Sequence, residues 1–244
     1  MNYIQPDPSC ANIGLVFGLV LCGMSPPPMS MLSFYKKFSA LLQEGLRNAG
    51  VHESACYLYD ADMLHTTLAT FRSFIKPPPR SPELYVSEWK GILLRASRRA
   101  EWPAPGTYVL SLQEAKVQDN GVGTLLFTDK LRVIERMREC IREEMSEARS
   151  KDSLYYIRCT NADIRIPNII HSTVLRWRKA PNLSVFELQN IFSEAFILTK
   201  AAGYSTEMPL TTVSLLREWK PYMRAKTCVA QLWLPECEGS GDKI

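Results

Sequence analysis

The sequence predicts an α+β domain built from two related lobes. Strand patterns and amphipathic helix patterns alternate in a similar order in both halves of the 244-residue chain. No linker rich in Gly or Ser divides the chain, and two nearly identical histidine-containing segments lie about half a chain apart. We therefore expect a single domain over residues 1–235, followed by a disordered tail at 236–244.

Composition is that of an ordinary globular protein. Hydrophobic residues make up 46% and charged residues 22%, with 12 Gly and 16 Pro, which excludes the disordered and fibrous classes. A chain of this length can bury a core without disulfide or metal staples. The net charge of +4 slightly favours a phosphate-bearing partner, but it is far below that of a dedicated nucleic-acid binder.

The cysteines indicate neither a disulfide framework nor a zinc site. There are seven, at positions 10, 22, 56, 140, 159, 228 and 237, and they form no Cys-x-x-Cys pair and no local cluster with histidine. We therefore expect the protein to work in a reducing compartment, the cytoplasm or alternatively the nucleus. We also expect it to need no metal and no other cofactor.

The first half contains two units in which strands precede a helix. The apolar run at 13–24 is too short to cross a bilayer, and two glycines interrupt it, so it predicts a buried strand and no membrane attachment. A helix is predicted from about Ser30 to Asn48, one or two strands within 55–74, and a second helix over about Pro82 to Arg99.

Each of these helices follows a triple proline. Pro26–Pro28 and Pro77–Pro79 predict loops that lead into the helices. The alternative is a pair of polyproline ligands for a partner domain.

The second half has a similar outline. Strands at 108–117 and 123–128 flank the hairpin signal Asp119-Asn120-Gly121. Asp129 then caps a helix with apolar residues at helical spacing. Its other faces are predicted to be solvated and carry Arg132, Arg136, Arg138, Glu139, Glu143 and Glu144.

Four further strands and one helix complete the prediction. Strands are expected at about 154–159 and 168–178, and the capping box Ser184-x-x-Glu187 starts a helix that stops at Gly203. Two closing strands are expected at about 210–218 and 226–234.

Two of the three histidines lie in matching segments. The order apolar, His, hydroxyl, Thr, apolar occurs in LHTTL at 64–68 and again in IHSTV at 170–174, with the histidines 106 residues apart. Because side chains at i and i+2 point to the same face of a strand, the histidine and the second hydroxyl residue of each segment project together. Two such strands facing a cleft would bring two imidazoles and two hydroxyls together.

Such a cleft suits acid–base chemistry on a phosphate ester. An imidazole has an ordinary pKa near 6.5, so either His65 or His171 can act as the general base while the other protonates the leaving oxygen. The hydroxyls of Thr67 and Thr173 would hold the non-bridging phosphate oxygens. The third histidine, His52, has no such context and is predicted to be a surface residue.

This duplicated H-x-[S/T]-apolar pattern resembles that of the 2H phosphoesterases, a family that includes RNA 2′,3′-cyclic phosphodiesterases and LigT-type 2′-5′ RNA ligases. The resemblance covers most of the chain and implies two pseudosymmetric lobes of antiparallel sheet with flanking helices around a central cleft. One lobe would hold both termini and the other the middle of the chain. By this resemblance, His65 and His171 are the catalytic residues, and Thr67 and Thr173 bind phosphate.

Four more residues are expected to contact the substrate. Continued alternation along the two motif strands places Phe71 and Trp177 on the histidine faces, where they could stack on a nucleobase. Arg176, one face over, could attract phosphate from the cleft rim, and Tyr57 lies upstream of the first motif. The alternatives are core packing for the aromatic residues and a solvated strand end for the arginine.

The sequence thus predicts a metal-independent phosphoesterase. Its substrate would be RNA with a 2′,3′-cyclic phosphate end, a cyclic nucleotide or a 2′-5′-linked oligonucleotide, bound by a monomer. A non-catalytic nucleotide- or RNA-binding module on the same fold is one alternative. A structural or interaction protein that uses the proline segments and the arginine-rich helix is another.

Overall fold

The computed structural model describes residues 4–12, 14–75, 81–104, 106, 108–151 and 164–233, and this part of the chain forms nine strands and four α-helices. The strands are β1 (Gly18–Gly23), β2 (Cys56–Leu58), β3 (Thr66–Arg72), β4 (Tyr108–Val117), β5 (Gly123–Thr128), β6 (Ile170–Trp177), β7 (Glu207–Leu210), β8 (Val213–Lys220) and β9 (Ala225–Trp233). The helices are α1 (Met29–Asn48), α2 (Pro82–Ala96), α3 (Val133–Lys151) and α4 (Val185–Ala201). The prolines at 77–79, the strand expected at 154–159 and the tail at 236–244 lie outside the described residues.

The strands form two antiparallel sheets. The first sheet has the order β3-β1-β8-β9, with strands from both halves of the chain, and the second has the order β2-β6-β5-β4-β7. Helices α2 and α3 pack on each other and contact β9 and β3 of the first sheet, whereas α1 and α4 pack on each other and contact β7 and β4 of the second. The predicted α+β class, with two antiparallel sheets and flanking helices, is confirmed.

Most predicted strands and helices form, because the apolar residues of each element lie on one side of it and pack into the core. Strand β1 comes from the apolar run and is buried along its whole length. Helix α4 begins with the predicted capping box: the Ser184 hydroxyl accepts the Glu187 N–H at 3.2 Å, and the Glu187 carboxylate accepts the Ser184 N–H at 2.8 Å. Among the described residues, no helix is both long and apolar enough to cross a membrane.

The closing strand expected at about 210–218 forms as β8, which begins at Val213, but the prediction missed β7 and the change of sheet between the two strands. Strand β7 ends at Leu210 and pairs with β4 in the second sheet, whereas β8 begins at Val213 and pairs with β1 in the first. Residues 211 and 212 make the crossing, which no hydrophobic pattern marks.

The two motif strands lie next to each other where the sheets meet. Strand β3 forms one edge of the first sheet and contacts β6 of the second. The backbone N–H of His65 donates to the Ser172 hydroxyl at 3.4 Å, and Thr70 forms an antiparallel bridge with Arg165. The junction therefore brings both histidine segments to one place.

Candidate active site

A cleft of about 400 Å³ lies between the sheets and carries both histidine–threonine pairs. His65 and Thr67 line it from the start of β3, and His171 and Thr173 line it from β6. The structure thus brings together the four residues that the matching segments single out. Further lining residues are Asp7, Ser9, Tyr59, Thr70, Phe74, Arg165, Arg176, Glu218 and Tyr222.

Each motif strand has a bulge directly after its threonine. In β3 the pairing passes from Cys22–Thr67 to Leu21–Ala69, and in β6 it passes from Thr124–Thr173 to Gly123–Leu175. One residue in each strand is therefore left without a paired position, and simple alternation stops there. As a result, the next cleft residue comes three positions after the threonine, at Thr70 in β3 and at Arg176 in β6.

These bulges explain why two expected substrate contacts are wrong. Phe71 is fully buried and stacks on Trp89 of α2, with ring centroids 3.9 Å apart. Trp177 is also buried, and its indole N–H donates to the Gly121 carbonyl at 2.8 Å. Both aromatic residues belong to the core and not to the cleft wall.

Arg176, in contrast, does reach the cleft. Its guanidinium donates to the Tyr59 hydroxyl at 3.0 Å and to the Asp7 carboxylate at 2.9 Å, and it lies 4.5 Å from the ring centre of Tyr222. Burial favours the neutral form of Asp7, but the hydrogen bond from Tyr222 and the charge of Arg176 outweigh it and lower the pKa of this carboxyl. The arginine is therefore held in place before any substrate binds.

Tyr57 lies behind the cleft wall. It packs against Tyr59 and Tyr222, with ring centroids 5.4 and 6.2 Å away, and its hydroxyl donates to the Met63 sulfur at 3.4 Å. Tyr57 is not among the residues that line the cleft, so the direct substrate contact expected for it is wrong. Instead, it packs against Tyr59 and Tyr222, which do line the cleft.

The ring of His65 has a defined orientation and tautomer. Its Nδ1 lies 2.8 Å from the Met63 carbonyl oxygen, which can only accept, so Nδ1 carries the proton and Nε2 has the free lone pair. Burial lowers the pKa of His65 to about 4; the Met63 carbonyl opposes this shift, and Lys226 and His171 add to it. His65 is therefore neutral at pH 7.

His171 is held less tightly. Within the described residues its buried Nδ1 makes no hydrogen bond of good geometry, although the Ile169 carbonyl lies near enough to favour the protonated ring. Burial lowers the pKa of His171, and the charges of Arg138 and Arg176 lower it further. A bound anion would raise the pKa of both imidazoles, because it favours their charged forms.

The prediction that Arg138 lies on a solvated helix face is wrong. Its side chain is 1% exposed and donates to the carbonyls of Thr67 and Ile169, both at 3.0 Å. Position 138 falls four residues after Ile134 and three before Ile141, which places it within the apolar stripe of α3. That spacing is the signal in the sequence that could have located it.

A buried carboxyl on β8 is a second feature that sequence reasoning missed. Glu218 lines the cleft, accepts the Met223 N–H at 3.0 Å and lies opposite Gly18, where a β-carbon would collide with its carboxylate. Burial raises the pKa of Glu218 to about 7. The available signal was the adjacent pair Arg217-Glu218, because neighbouring residues of a strand face opposite ways.

His52 is exposed, as predicted, and its ring accepts the Ser54 N–H at 3.2 Å. Within the described ranges, no group of three or more His, Cys, Asp or Glu side chains is placed to hold a metal ion.

The fold and the cleft define a class: a two-sheet α+β protein with a duplicated His-x-Thr site at the junction of its sheets. Escherichia coli LigT complexed with 3′-AMP is similar to it in structure, at 15% identity and a TM-score of 0.49 over 90% of this chain and 99% of LigT. The protein TT0787 of Thermus thermophilus is similar at 15% identity and a TM-score of 0.49, over 88% and 96% of the two chains. LigT complexed with phosphate gives 15% and 0.46, over 91% and 100%.

No family model and no curated protein sequence matches the chain. The likeness to the solved structures concerns the fold alone.

Proposed function

We propose that this chain is a metal-independent phosphoesterase that hydrolyses 2′,3′-cyclic phosphates or 2′-5′ linkages in RNA or nucleotides. The observation that carries the proposal is the convergence of His65, Thr67, His171 and Thr173 on one cleft. Two imidazoles can supply the base and the acid of a phosphoryl transfer, so the chemistry needs no metal ion. A cleft of about 400 Å³ has the size of a site for a small ligand such as a nucleotide.

Phosphate binding would use both threonines and the arginines at the rim. The hydroxyls of Thr67 and Thr173 would donate to non-bridging oxygens, each from the same strand face as its histidine. Arg176 is held at one side of the cleft, and the exposed Arg165 lies at another, next to Thr70. Two cations close to an anionic phosphodiester favour its binding.

In the proposed reaction His65 is the general base. Its Nε2 takes a proton from water while the water oxygen forms a bond to phosphorus, and the bond from phosphorus to one ribose oxygen breaks. His171, protonated, gives its proton to that ribose oxygen. The product is a phosphomonoester, and transfer of one proton from His65 to His171 through solvent restores the starting state.

The assignment of acid and base follows from burial. His65 is the more deeply buried ring, and its Nδ1–H is engaged by Met63, so its neutral form with a free Nε2 is favoured. A bound phosphodiester anion raises the pKa of His171 and allows it to take up a proton with the substrate.

The test is turnover of 2′,3′-cyclic AMP and of a 2′-5′-linked diadenylate by the full chain, with products separated by chromatography. We expect His65→Gln and His171→Gln each to lower turnover by about 10²- to 10⁴-fold, which is the contribution of a general acid or base. The matched control, His52→Gln, changes an exposed imidazole and should leave turnover unchanged. Full turnover by either of the first two variants, or loss of turnover on adding a chelator, would contradict the proposal.

A non-catalytic nucleotide-binding module is the second candidate. It is favoured by the lowered pKa of both imidazoles, which keeps them neutral at pH 7, since catalysis needs one protonated ring. Calorimetric titration with AMP, run beside the hydrolysis assay, separates the two. AMP binding without turnover of either substrate supports the module.

A further inference from the structure

Two cations that the proposed reaction does not use lie close to the backbone that carries the histidines. Lys226 is on β9, and its ammonium donates to the Asp62 carbonyl at 2.6 Å. Asp62 belongs to the short turn Ala61–Met63, and the Met63 carbonyl in turn holds the ring of His65. Lys226 therefore ties β9 to the turn that orients this imidazole.

Arg138 contacts the backbone of both histidine segments. From α3 its guanidinium donates to Thr67 and Leu68 of β3 and to Ile169, which precedes β6. Ile169 lies two residues before His171, just as Met63 lies two residues before His65. The acidic partner of Arg138 within the described residues is Glu135, at 3.8 Å, so most of its contacts are to backbone.

We propose that Lys226 and Arg138 are positioning residues. Lys226 anchors the turn before His65, Arg138 ties β3 to the segment before His171, and each places a positive charge near one imidazole. The inference rests on the proposed function, because it assigns these residues a part in that reaction. Neither cation has to touch the substrate.

The positive charges near the two histidines also affect the pKa of each imidazole. The groups that face His65 are Lys226 from β9 and His171 from β6; Lys226 itself faces Cys22, Asp62 and Glu218. The groups that face His171 are Arg138 from α3 and Arg176 from its own strand. Burial is the largest cause of the lowered pKa of each imidazole, and these cations lower it further. Both rings therefore favour the neutral form until an anion such as a phosphate binds.

The experiment is an NMR titration of the histidine ring protons in the full chain without ligand. The chain has three histidines, so the His65→Gln and His171→Gln variants assign the signals. In Lys226→Met the pKa of His65 should rise by roughly 0.5 to 1, as expected for the loss of one nearby charge that is partly screened. Lys226→Arg should restore the parent value, and Lys220→Met, which removes an exposed lysine of β8, should change nothing.

Kinetics provide the second readout. Lys226→Met should lower kcat by about tenfold with little change in KM. The acidic limb of its pH–rate profile should shift to higher pH, following the pKa of His65. Lys226→Gln keeps an amide donor without the charge, so it separates the anchoring effect from the electrostatic one. For Arg138, the variant Arg138→Lys keeps the charge and should leave the pKa of His171 low while kcat falls, because a compact ammonium lacks the planar fork with which the guanidinium reaches carbonyls of both segments.

The outcomes decide separately on the inference and on the proposed function. An unchanged titration of His65 in Lys226→Met overturns the inference, whether or not the protein turns over a substrate. A shifted titration in a protein that hydrolyses neither substrate supports the electrostatic arrangement and counts against the proposed reaction. If Lys226→Met does not fold by circular dichroism, the contrast between Lys226→Gln and Lys226→Arg decides.

Discussion

The two sides of the cleft share a strand plan but differ in how they hold the histidine. On both sides a His-x-Thr segment is followed by a bulge, which brings the residue three positions after the threonine into the cleft. His65 is tied to a carbonyl through Nδ1, whereas His171 has no such bond among the described residues. The repeated geometry thus places the groups, and the different surroundings give the two imidazoles different proton affinities.

Charge differs between the two sides as well. The His65 side carries Lys226 and the buried carboxyl of Glu218, two groups that occupy paired positions on β8 and β9. The His171 side carries Arg138 and Arg176. An acid and a base need unequal environments, so a cleft with identical sides would serve the reaction less well.

Replacing either cleft histidine with glutamine gives the largest expected effect on turnover. If His65 is the base, His65→Gln should remove the low-pH limb of kcat/KM, and if His171 is the acid, His171→Gln should remove the high-pH limb, each with a loss of about 10²- to 10⁴-fold. The double variant should be little worse than the poorer single variant, because the two groups act in one step. The measurement is the pH dependence of cyclic phosphate turnover; interchanged limbs would reverse our assignment of the two sides.

Glu218 tests the charge difference through stability. Burial raises the pKa of this carboxyl from an ordinary value near 4.5 to about 7, so ionisation costs more in the folded protein than in the unfolded chain. Its contribution to stability is complete below pH 4.5 and is lost as the pH rises through 7. Glu218→Gln should therefore gain stability relative to the parent between pH 4.5 and 8, by at most about 3 kcal/mol.

Urea unfolding at several pH values measures this gain. The lowered pKa of His65 acts in the opposite sense, because its contribution is lost as the pH falls from 6.5 to about 4, but it cancels in the difference between variant and parent. Glu194→Gln, at an exposed carboxyl of α4, is the matched control. A difference between Glu218→Gln and the parent that does not vary with pH would show that folding leaves the pKa of Glu218 unchanged, and would contradict the raised pKa.

The two threonines should have similar and smaller effects. Thr67→Val and Thr173→Val remove one donor each while keeping the shape of the side chain, and we expect kcat to fall by about 10- to 100-fold. Serine at either position keeps the hydroxyl and should retain most of the activity. Steady-state kinetics give kcat for the four variants. A large loss of kcat at only one position would show that one threonine, and so one side of the cleft, provides most of the phosphate binding.

Much of the fold and the centre of the site could be predicted from local patterns. Period-two alternation and helical spacing located the strands and helices, and the matching of 64–68 with 170–174 singled out the residues that meet in the cleft. The bulges could not be predicted, since a bulge depends on the partner strand, and they moved Phe71 and Trp177 into the core. Residues such as Glu218 and Lys226 were missed because only the assembled sheets bring them beside the histidines.

The residues after the bulges give the smallest expected effect and the sharpest contrast between the sides. Thr70 and Arg176 hold corresponding positions and both line the cleft, but only the arginine carries a charge. Arg176→Gln should raise KM by about tenfold, as expected for one charge-assisted hydrogen bond, whereas Thr70→Val should change it by less than about twofold.

Arg176 also holds Asp7 at 2.9 Å, so the variant could act by disturbing the N-terminal segment instead. Asp7→Asn separates these explanations, because it breaks the ion pair and leaves the guanidinium charged. If Asp7→Asn raises KM as much as Arg176→Gln does, Arg176 contributes through structure, and the two sides of the cleft are more alike than we infer.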